Sequence, residues 1–372
     1  MAEVEILRVD DRQTAREFLE FPYQLYRGNP YWVPPLRVAQ KQLFDTRRHP
    51  FYRGAEMERF LARRNGRVAG RVAAILNRNY NEFHGEQAGF FGFLEMENDP
   101  AVCGALLAAA RDWLAGRGAR VFRGPVNPST NYECGMLVEG FDSSPVVMMT
   151  YNPPYYPELM ERAGWRKAKD LYAYFLLRRD VDAGKMQRVA ERSLAGDRVL
   201  IRPIRMGAAF NDDVAAIWQV YNASWSRNWG FVPMTREEFV LMAKEMKAIL
   251  IPDLVLVGEV KGRIAGFALA LPDINQALIH AGGRLFPFGL PKILYYKRTI
   301  RTVRVIALGV VPEHRTAGMA AGFYAALLEH GSRLGIEGGE FSWVLEDNVL
   351  MNRSLRAFGA ARYKTYRIYE WN

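Results

Sequence analysis

The sequence predicts an α+β protein, with mixed α/β sheets and flanking helices, built as two similar domains in tandem. Its 372 residues suffice for two domains of ordinary size. Two stretches recur at nearly equal spacing, and strand and helix patterns follow the same order in both halves. Charged residues make up 24% of the chain, an ordinary share that excludes a disordered polyelectrolyte.

The first repeated stretch predicts a β-hairpin in each half. It reads GRVAGRVAA at 66–74 and GRIAGFALA at 262–270. Each copy follows a hydrophobic strand pattern and a two-residue turn, Asn-Gly at 65–66 and Lys-Gly at 261–262. Such a turn between two hydrophobic runs is typical of paired antiparallel strands.

The second repeated stretch predicts a short amphipathic helix, ended by glycine, and then an aromatic strand. It reads ELMERAGWRKAKDLYAYFL at 158–176 and RSLRAFGAARYKTYRIYEW at 353–371. Between the repeats, each half holds a further helix and strand. We therefore expect a first domain over 1–178, a linker over 179–197 and a second domain over 198–372.

The composition favours anionic partners and argues against a metal site. The net charge of +10 suits nucleic acid, an anionic lipid surface or a polyphosphate cofactor. Cys103 and Cys134 are too few for a disulfide framework, no Cys/His cluster has zinc spacing, and both thiols are expected to fill the core. Without a signal-peptide pattern or a membrane-spanning apolar run, the chain is expected to be cytoplasmic.

Residues 303–331 predict a strand, a loop of small residues and the start of a helix. Free backbone N–H groups and the helix dipole meet at such a junction, which makes it a potential pyrophosphate site. Gly318 would let a phosphate approach the backbone closely, and Arg315 adds a positive charge. The alternative interpretation is an ordinary strand-to-helix turn with a capping glycine.

The same segment resembles a known superfamily. Arg-x-x-Gly-x-Ala at 315–320, preceded by Leu-x-Val-x-Pro-Glu at 308–313, resembles motif A of the GCN5-related N-acetyltransferases (GNAT). Downstream, VLEDN at 344–348 and LRAFG at 355–359 resemble motif B. Since the first half repeats this organisation, the chain resembles tandem-GNAT proteins, and two tandem GNAT-like domains are expected.

The resemblance implies acyl-CoA as a co-substrate bound by the second domain. Backbone N–H groups of the motif-A loop would hold the pyrophosphate, and the preceding strand edge would pair with the pantetheine arm. An asparagine of motif B would brace the separated strands or contact acyl-CoA. The implied residues are Leu308, Gly309, Val310, Arg315, Thr316, Ala317, Gly318, Met319, Ala320 and Asn348.

Two departures from the family pattern matter. The first half lacks the motif-A loop, and its helix begins at Asp99-Pro100, where a carboxylate would repel phosphate. We therefore expect one acyl-CoA per chain, with the first domain shaping the acceptor site. In addition, Leu355 and Met160 stand where many members of the superfamily have a tyrosine that acts as general acid.

A loop over 124–156 is rich in Gly, Pro, Asn and Tyr, and carries the predicted catalytic groups. Glu133 is the first candidate for the general base, with Asn131 or Tyr151 as orienting or polarising groups. Glu346 and His280 are second candidates. The alternative is that these polar residues only stabilise turns.

Two further stretches, 221–234 and 282–304, are unusually apolar for loops. The second alternates aromatic with basic residues, which suits an interfacial helix on anionic lipid, a nucleic-acid contact or a core helix with a solvated basic edge. Nucleic acid ranks last, because no recognition motif accompanies it.

The chain as a whole, including NPSTNYECGMLVEGFD, also resembles a bacterial ceramide-synthase-like group. This resemblance implies a fatty acyl-CoA donor and a long-chain amine acceptor of the sphingoid-base type. Two hypotheses follow. One is an acyl-CoA-dependent N-acyltransferase with a peripheral place on the inner membrane face. The other is a non-catalytic GNAT scaffold that binds CoA, a membrane surface or nucleic acid.

Overall fold

A computed structural model describes residues 3–194 and 199–371 of the chain. Its strands are β1 (Val4–Arg8), β2 (Ala55–Arg64), β3 (Arg67–Asn77), β4 (Ala88–Met96), β5 (Val121–Gly124), β6 (Val126–Asn127), β7 (Glu133–Cys134), β8 (Met136–Glu139), β9 (Arg166–Leu177), β10 (Val199–Pro203), β11 (Val255–Val260), β12 (Arg263–Pro272), β13 (Thr302–Val310), β14 (Gly338–Leu345) and β15 (Ala361–Trp371). Its helices are α1 (Arg12–Leu25), α2 (Arg37–Leu43), α3 (Arg78–His84), α4 (Pro100–Ala115), α5 (Tyr156–Arg162), α6 (Ala183–Leu194), α7 (Phe210–Trp225), α8 (Arg236–Met246), α9 (Asn275–Leu278), α10 (Gly289–Tyr296), α11 (Met319–Arg333) and α12 (Val349–Ala357).

These elements form two compact units, each assembled from separate stretches of the chain. The first unit comprises Met1–Leu171, Leu278–Ile293 and Lys364–Asn372. The second comprises Tyr172–Ala277 and Leu294–Tyr363. Strands β9 and β15 therefore each contribute residues to both units.

The first unit is a mixed sheet in the order β1-β2-β3-β4-β5-β15, with β8 also paired to β15. Strands β4 and β5 are parallel, whereas the other pairs are antiparallel. The last strand joins through the pair Tyr369 and Gly124. Helix α4 buries its apolar face, including Leu106 and Leu107, in a core shared with Phe91 and Phe122.

The second unit repeats this plan. Its strands follow the order β9-β14-β13-β12-β11-β10, with β13 and β14 parallel. The second half of β9 lies against β14, where a Cβ on Gly338 would meet the ring of Phe175 at 2.9 Å. Helix α11 packs on the sheet through Met319 and Phe323. The predicted α+β class with two similar domains is confirmed.

Both predicted hairpins are present, and they explain the first sequence repeat. Strands β2 and β3 turn at Asn65 and Gly66, and β11 and β12 turn at Lys261 and Gly262, all with positive φ. A Cβ on Gly70 would lie 2.7 Å from a methyl group of Leu106 on α4. On Gly266 it would lie 2.3 Å from the sulfur of Met319 on α11. In each unit, the repeated glycine lets the long helix approach the sheet.

The predicted boundaries at 1–178, 179–197 and 198–372 remain a prediction, and residues 195–198 lie outside the described part of the chain. Within the expected linker, α6 packs on α11 in the second unit, with Met186 and Ala190 against Ala325. This contact depends on side chains far apart in sequence, which local patterns do not reveal.

The expectation of a loop over 124–156 is wrong in part, because β6, β7 and β8 form within it. Of the three alternatives for residues 282–304, the core helix is excluded, since α10 is short and Phe286, Phe288 and Tyr295 are exposed. By contrast, 221–234 belongs to the core of the second unit, where Phe231 is buried.

An ion-pair cluster around the buried carboxylate of Asp213 fixes α7 to β10 in the second unit. Arg202 donates to Asp213 at 2.8 Å, and Arg205 donates to the same carboxylate at 2.7 Å. Burial alone would raise the pKa of Asp213, but these hydrogen bonds outweigh it and hold the pKa well below its usual range.

Candidate functional site

The central parallel strands of the second unit separate along their length. Strands β13 and β14 pair from Thr302 to Val305 on one side and from Gly338 to Phe341 on the other. A register shift against β12 leaves Ile306 as an extra residue in β13, and such a bulge bends its strand. Both strands continue beyond the last pair, so a gap with an open backbone edge lies between them.

The segment after β13 presents unsatisfied backbone donors. Gly318 has a φ of 69° and precedes α11 without a side-chain cap. Within the described chain, the amides of Thr316, Gly318, Met319, Ala320 and Ala321 have no hydrogen-bond acceptor. They lie at the positive end of the α11 dipole, which is the arrangement that binds phosphate groups.

The basic and small side chains of this loop have defined places. Arg315 is exposed and donates a hydrogen bond to the carbonyl of Ser224 at 3.2 Å. Thr316 is exposed, whereas Ala317 and Met319 are buried. A Cβ on Gly318 would lie 2.2 Å from the carbonyl oxygen of Ser193 on α6. Glycine is therefore required here both by φ and by the packing of α6.

The end of β13 that is predicted to pair with the pantetheine arm has one edge bonded to β12 and one edge open. Leu308, Gly309 and Val310 pair with β12, so their remaining backbone groups point towards the gap. The indole of Trp225 packs on Gly309, where a Cβ would meet the ring at 2.2 Å. Asn348 is exposed and caps α12 by accepting from the Met351 amide at 3.2 Å.

Two buried donors near the gap have no hydrogen-bond partner among the described residues. They are the hydroxyl of Ser224, whose Cβ lies against Gly309, and the indole N–H of Trp343, which is on β14 beyond the last paired residue. Because buried polar groups are nearly always satisfied in folded proteins, an orphan donor beside an open strand edge suits a ligand with carbonyl acceptors. Neither was identified from the sequence, where each stands within an apolar pattern.

A buried charged network holds the separating strands at their paired end. Arg304 on β13 donates to the hydroxyl of Ser342 at 2.9 Å. Ser342 and Tyr363 both donate to the carboxylate of Glu340 on β14. Arg304 and Glu340 are essentially inaccessible to solvent. Sequence reasoning missed this network, although a charge inside each of two apolar strands was a signal.

The first unit fills the equivalent places with its own chain. The Asp99 carboxylate accepts from the amides of Ala101 and Val102 at the start of α4, as expected of an acidic cap, and it pairs with Arg64. Strands β4 and β5 also separate, but the Asn127 side chain accepts from the Phe93 amide at 2.6 Å. In the part of the chain that the structure describes, the amides of Ala101, Val102 and Phe93 are therefore already bonded to side chains of the first unit.

The catalytic candidates of the first unit fall into two groups. Asn131 and Glu133 are half-buried in the short segment around β7, where the Asn131 amide donates to the Ser129 hydroxyl at 3.2 Å. Glu133 pairs with Asn127 across the β6–β7 ladder. The neighbouring Asn152 bonds both backbone groups of Leu137, so its role is structural.

Tyr151 lies in a separate aromatic cluster. Its hydroxyl accepts from the Asn29 side chain at 3.4 Å, and its ring meets that of Tyr26 edge-on at 6.2 Å. Tyr26 in turn donates to the buried carboxylate of Glu95 at 2.6 Å, as Tyr156 does at 2.9 Å. Burial raises the pKa of Glu95 above its usual range, although Arg71 opposes the shift.

The remaining candidates have simpler surroundings. Leu355 and Met160 are buried core residues, so no tyrosine occupies the expected general-acid position. Glu346 follows β14, where its carbonyl accepts from Asn352, and His280 is exposed. Cys103 and Cys134 are buried and form no disulfide. The described residues contain no His, Cys, Asp or Glu group able to hold a metal ion, and no described helix could cross a membrane.

Two curated proteins resemble the chain along nearly its whole length. Protein YghO of Escherichia coli K12 is 32% identical over 367 residues, which cover 97% of this chain and 93% of that protein. Bacterial ceramide synthase of Caulobacter vibrioides is 33% identical over 379 residues, covering 99% of this chain and 97% of that protein. No protein-family model matches the sequence.

Solved structures show the same fold at low sequence identity. A tandem GNAT protein from the clavulanic acid biosynthesis pathway superposes with a TM-score of 0.58 at 14% identity, over 99% of this chain and 98% of that one. A GCN5-related N-acetyltransferase from Sphaerobacter thermophilus gives a TM-score of 0.52 at 15% identity, over 99% and 95%. The tandem GNAT fold expected from the sequence motifs is thereby confirmed.

Proposed function

Because the chain belongs to the family of bacterial ceramide synthase and protein YghO, we propose that it transfers an acyl group from acyl-CoA to an amine. The family and the GNAT fold support an acyltransferase. The amine nitrogen would attack the thioester carbonyl carbon, the carbon–sulfur bond would break, and CoA would leave as the thiol after proton transfer.

The single observation that carries this proposal is the contrast between the two units. The start of α11 keeps free amides beside an open strand edge, whereas the start of α4 is capped by Asp99. The segment β13–α11–β14 corresponds to β4–α4–β5 in the order of its elements, so the difference is chemical. It supports one acyl-CoA per chain, with its pyrophosphate at 315–320, its pantetheine arm along Leu308, Gly309 and Val310, and its carbonyl groups meeting Ser224 and Trp343.

The first unit is proposed to hold the amine acceptor. Glu133 is the candidate base, with Asn131 and Tyr151 as orienting groups, because all three are partly buried polar residues, Glu133 in the two-residue strand β7 and the other two outside regular structure. The ceramide synthase relative supports a long-chain lipid amine as acceptor. An anionic membrane is the proposed surface for meeting such a substrate, and it is supported by the exposed basic and aromatic residues of 282–304.

A thermal-shift series followed by turnover tests the proposal. Palmitoyl-CoA, acetyl-CoA and free CoA are each expected to raise the Tm, because all share the pyrophosphate. Release of CoA thiol should then depend on an added amine, and a sphingoid base should outperform a small amine. Glu133→Gln should lower turnover while leaving the Tm shift unchanged.

Failure of the two stages has different meanings. If no CoA species shifts the Tm, the acyl-CoA assignment is wrong. If CoA species bind and no amine releases thiol, the non-catalytic GNAT scaffold is correct. That alternative is favoured by one observation, the absence of a tyrosine at Leu355 and Met160.

A further inference from the structure

The first unit has an open cleft of about 470 Å³. Asn131, Glu133 and Tyr151, which are assigned to the proposed transfer reaction, do not line it, although Tyr151 contacts the lining residue Asn29. One wall is aromatic, since Tyr26 stacks on Trp32 with ring centroids 4.7 Å apart and Tyr23 meets Trp32 edge-on at 5.4 Å. The remaining lining comes from the loop after α1 and from residues 279–284.

The cleft carries more positive than negative charge, although Glu20 is paired with Arg37 and also attracts Arg284. Arg27, Arg37 and Arg284 line it, and no carboxylate does. Arg37 is engaged, because it pairs with Glu20 at 2.7 Å and lies over the Tyr23 ring. Arg27 and Arg284 are exposed and form no ion pair with any residue in the described ranges. Two such guanidinium groups suit a phosphate, which accepts paired hydrogen bonds from arginine.

The loop that supplies Arg284 also displays two phenylalanines to solvent. Phe286 is 76% exposed and Phe288 is 72% exposed. The loop is nevertheless well fixed: the Leu290 amide donates to the Leu285 carbonyl at 2.7 Å, and the Arg37 amide donates to the Gly283 carbonyl at 3.0 Å. Aromatic rings held outward next to basic residues are typical of a surface that enters the interface of a bilayer.

We propose that this cleft binds the phosphate headgroup of an anionic phospholipid. Arg27 and Arg284 would contact the phosphate, while Phe286 and Phe288 enter the bilayer interface beside it. A lipid is favoured over a soluble phosphate compound because the same loop carries both the charge and the exposed rings. The proposal rests on the membrane association proposed above and names the site responsible for it; it does not depend on acyl transfer.

Vesicle flotation of the full chain provides the test. Vesicles of phosphatidylcholine alone are compared with vesicles that also contain phosphatidylglycerol, at physiological salt. The wild type should bind the anionic vesicles only. The double variant Arg27→Gln/Arg284→Gln should partition roughly 30-fold more weakly, because each basic residue at an anionic surface strengthens binding about fivefold. Phe286→Ser/Phe288→Ser should also reduce flotation.

The matched control is Arg47→Gln/Arg48→Gln, which removes the same charge from exposed positions outside the cleft. If this control weakens binding as much as the cleft variant, net charge explains the binding and the headgroup site is wrong. If the wild type floats with neither kind of vesicle, the proposed membrane association is wrong. If glycerol phosphate binds with the same dependence on Arg27 and Arg284 and vesicles do not, the cleft serves a soluble phosphate and the lipid assignment is overturned.

Discussion

Replacing Ala320 by aspartate should have opposite effects on the free protein and on its complex with CoA. Ala320 is the second residue of α11, next to amides that have no acceptor. Ala101 occupies the same position in α4, where Asp99 already caps the helix. Ala320→Asp and Ala101→Asp therefore make the same chemical change at two equivalent helix starts, and only one of them is assigned to a pyrophosphate.

The magnitudes follow from the charges. In the free protein, a carboxylate in the first turn should stabilise α11 by about 0.3–1 kcal/mol. With CoA bound, a carboxylate about 5 Å from a phosphate charge costs about 3 kcal/mol at an effective dielectric constant of about 20, which is roughly a hundredfold in Kd. At a concentration of about 100 Kd for the wild type, ligand stabilisation should fall from about 2.7 to about 0.4 kcal/mol.

Thermal unfolding with and without palmitoyl-CoA measures both effects. Ala320→Asp should raise the Tm slightly without ligand and lose most of the ligand-induced shift, whereas Ala101→Asp should keep the full shift. A wild-type shift in Ala320→Asp would refute the placement of the pyrophosphate at α11. Loss of the shift in Ala101→Asp would refute the claim that the two units differ in this respect.

Three further predictions concern stability and reactivity. Asp213→Asn should lower the free energy of unfolding by about 1.5–3 kcal/mol in urea titrations, because a buried carboxylate loses charged hydrogen bonds while its arginine partners stay in contact with solvent. Since the pKa of Asp213 is lowered, the wild-type contribution should be full above about pH 4 and lost as the pH falls below it. A flat acid profile would contradict this. Gly92→Ala should lower the free energy of unfolding by about 1–3 kcal/mol or more, because its Cβ would lie 1.6 Å from the Val126 carbonyl oxygen. As a control, Gly104→Ala places its Cβ in open space inside α4 and should raise the free energy of unfolding by about 0.5–1 kcal/mol. Equal effects of the two variants would show that the contact at Gly92 is unimportant. Burial raises the pKa of Cys103 to about 12, so it and Cys134 should react with a thiol reagent only after unfolding, and fast labelling of the native chain would exclude their burial.

The features that the sequence predicts well are those with local causes. The two hairpins depend on turn residues at positive φ, Asn65-Gly66 and Lys261-Gly262. These residue pairs can be recognised from the local sequence alone. The Asp99 cap likewise acts on amides two and three residues away. The motif-A loop is recognisable because a phosphate can approach the backbone closely only where the residues of the loop are small.

What the sequence hides depends on distant partners. Strand β8 is too short to be predicted from its sequence pattern, and it forms because β15 pairs with it. In the sequence, Glu95 and Glu340 resemble solvent-facing positions of a strand. In the structure, each accepts a hydrogen bond from a tyrosine of another element, Tyr26 or Tyr363. The exposure of Phe286 is equally invisible, because apolar periodicity assigns such residues to the core.

The membership of β15 in the first unit has a consequence for biosynthesis. A ribosome completes Leu171 long before it reaches Lys364, and at about 5–20 residues per second the interval is roughly 10–40 s. During that time the sheet of the first unit ends at β5 with an unpaired edge, which is a hazard for wrong pairing. The sheet of the first unit therefore cannot be completed until β15 has been translated. Neither half of the chain is a natural fragment for separate expression.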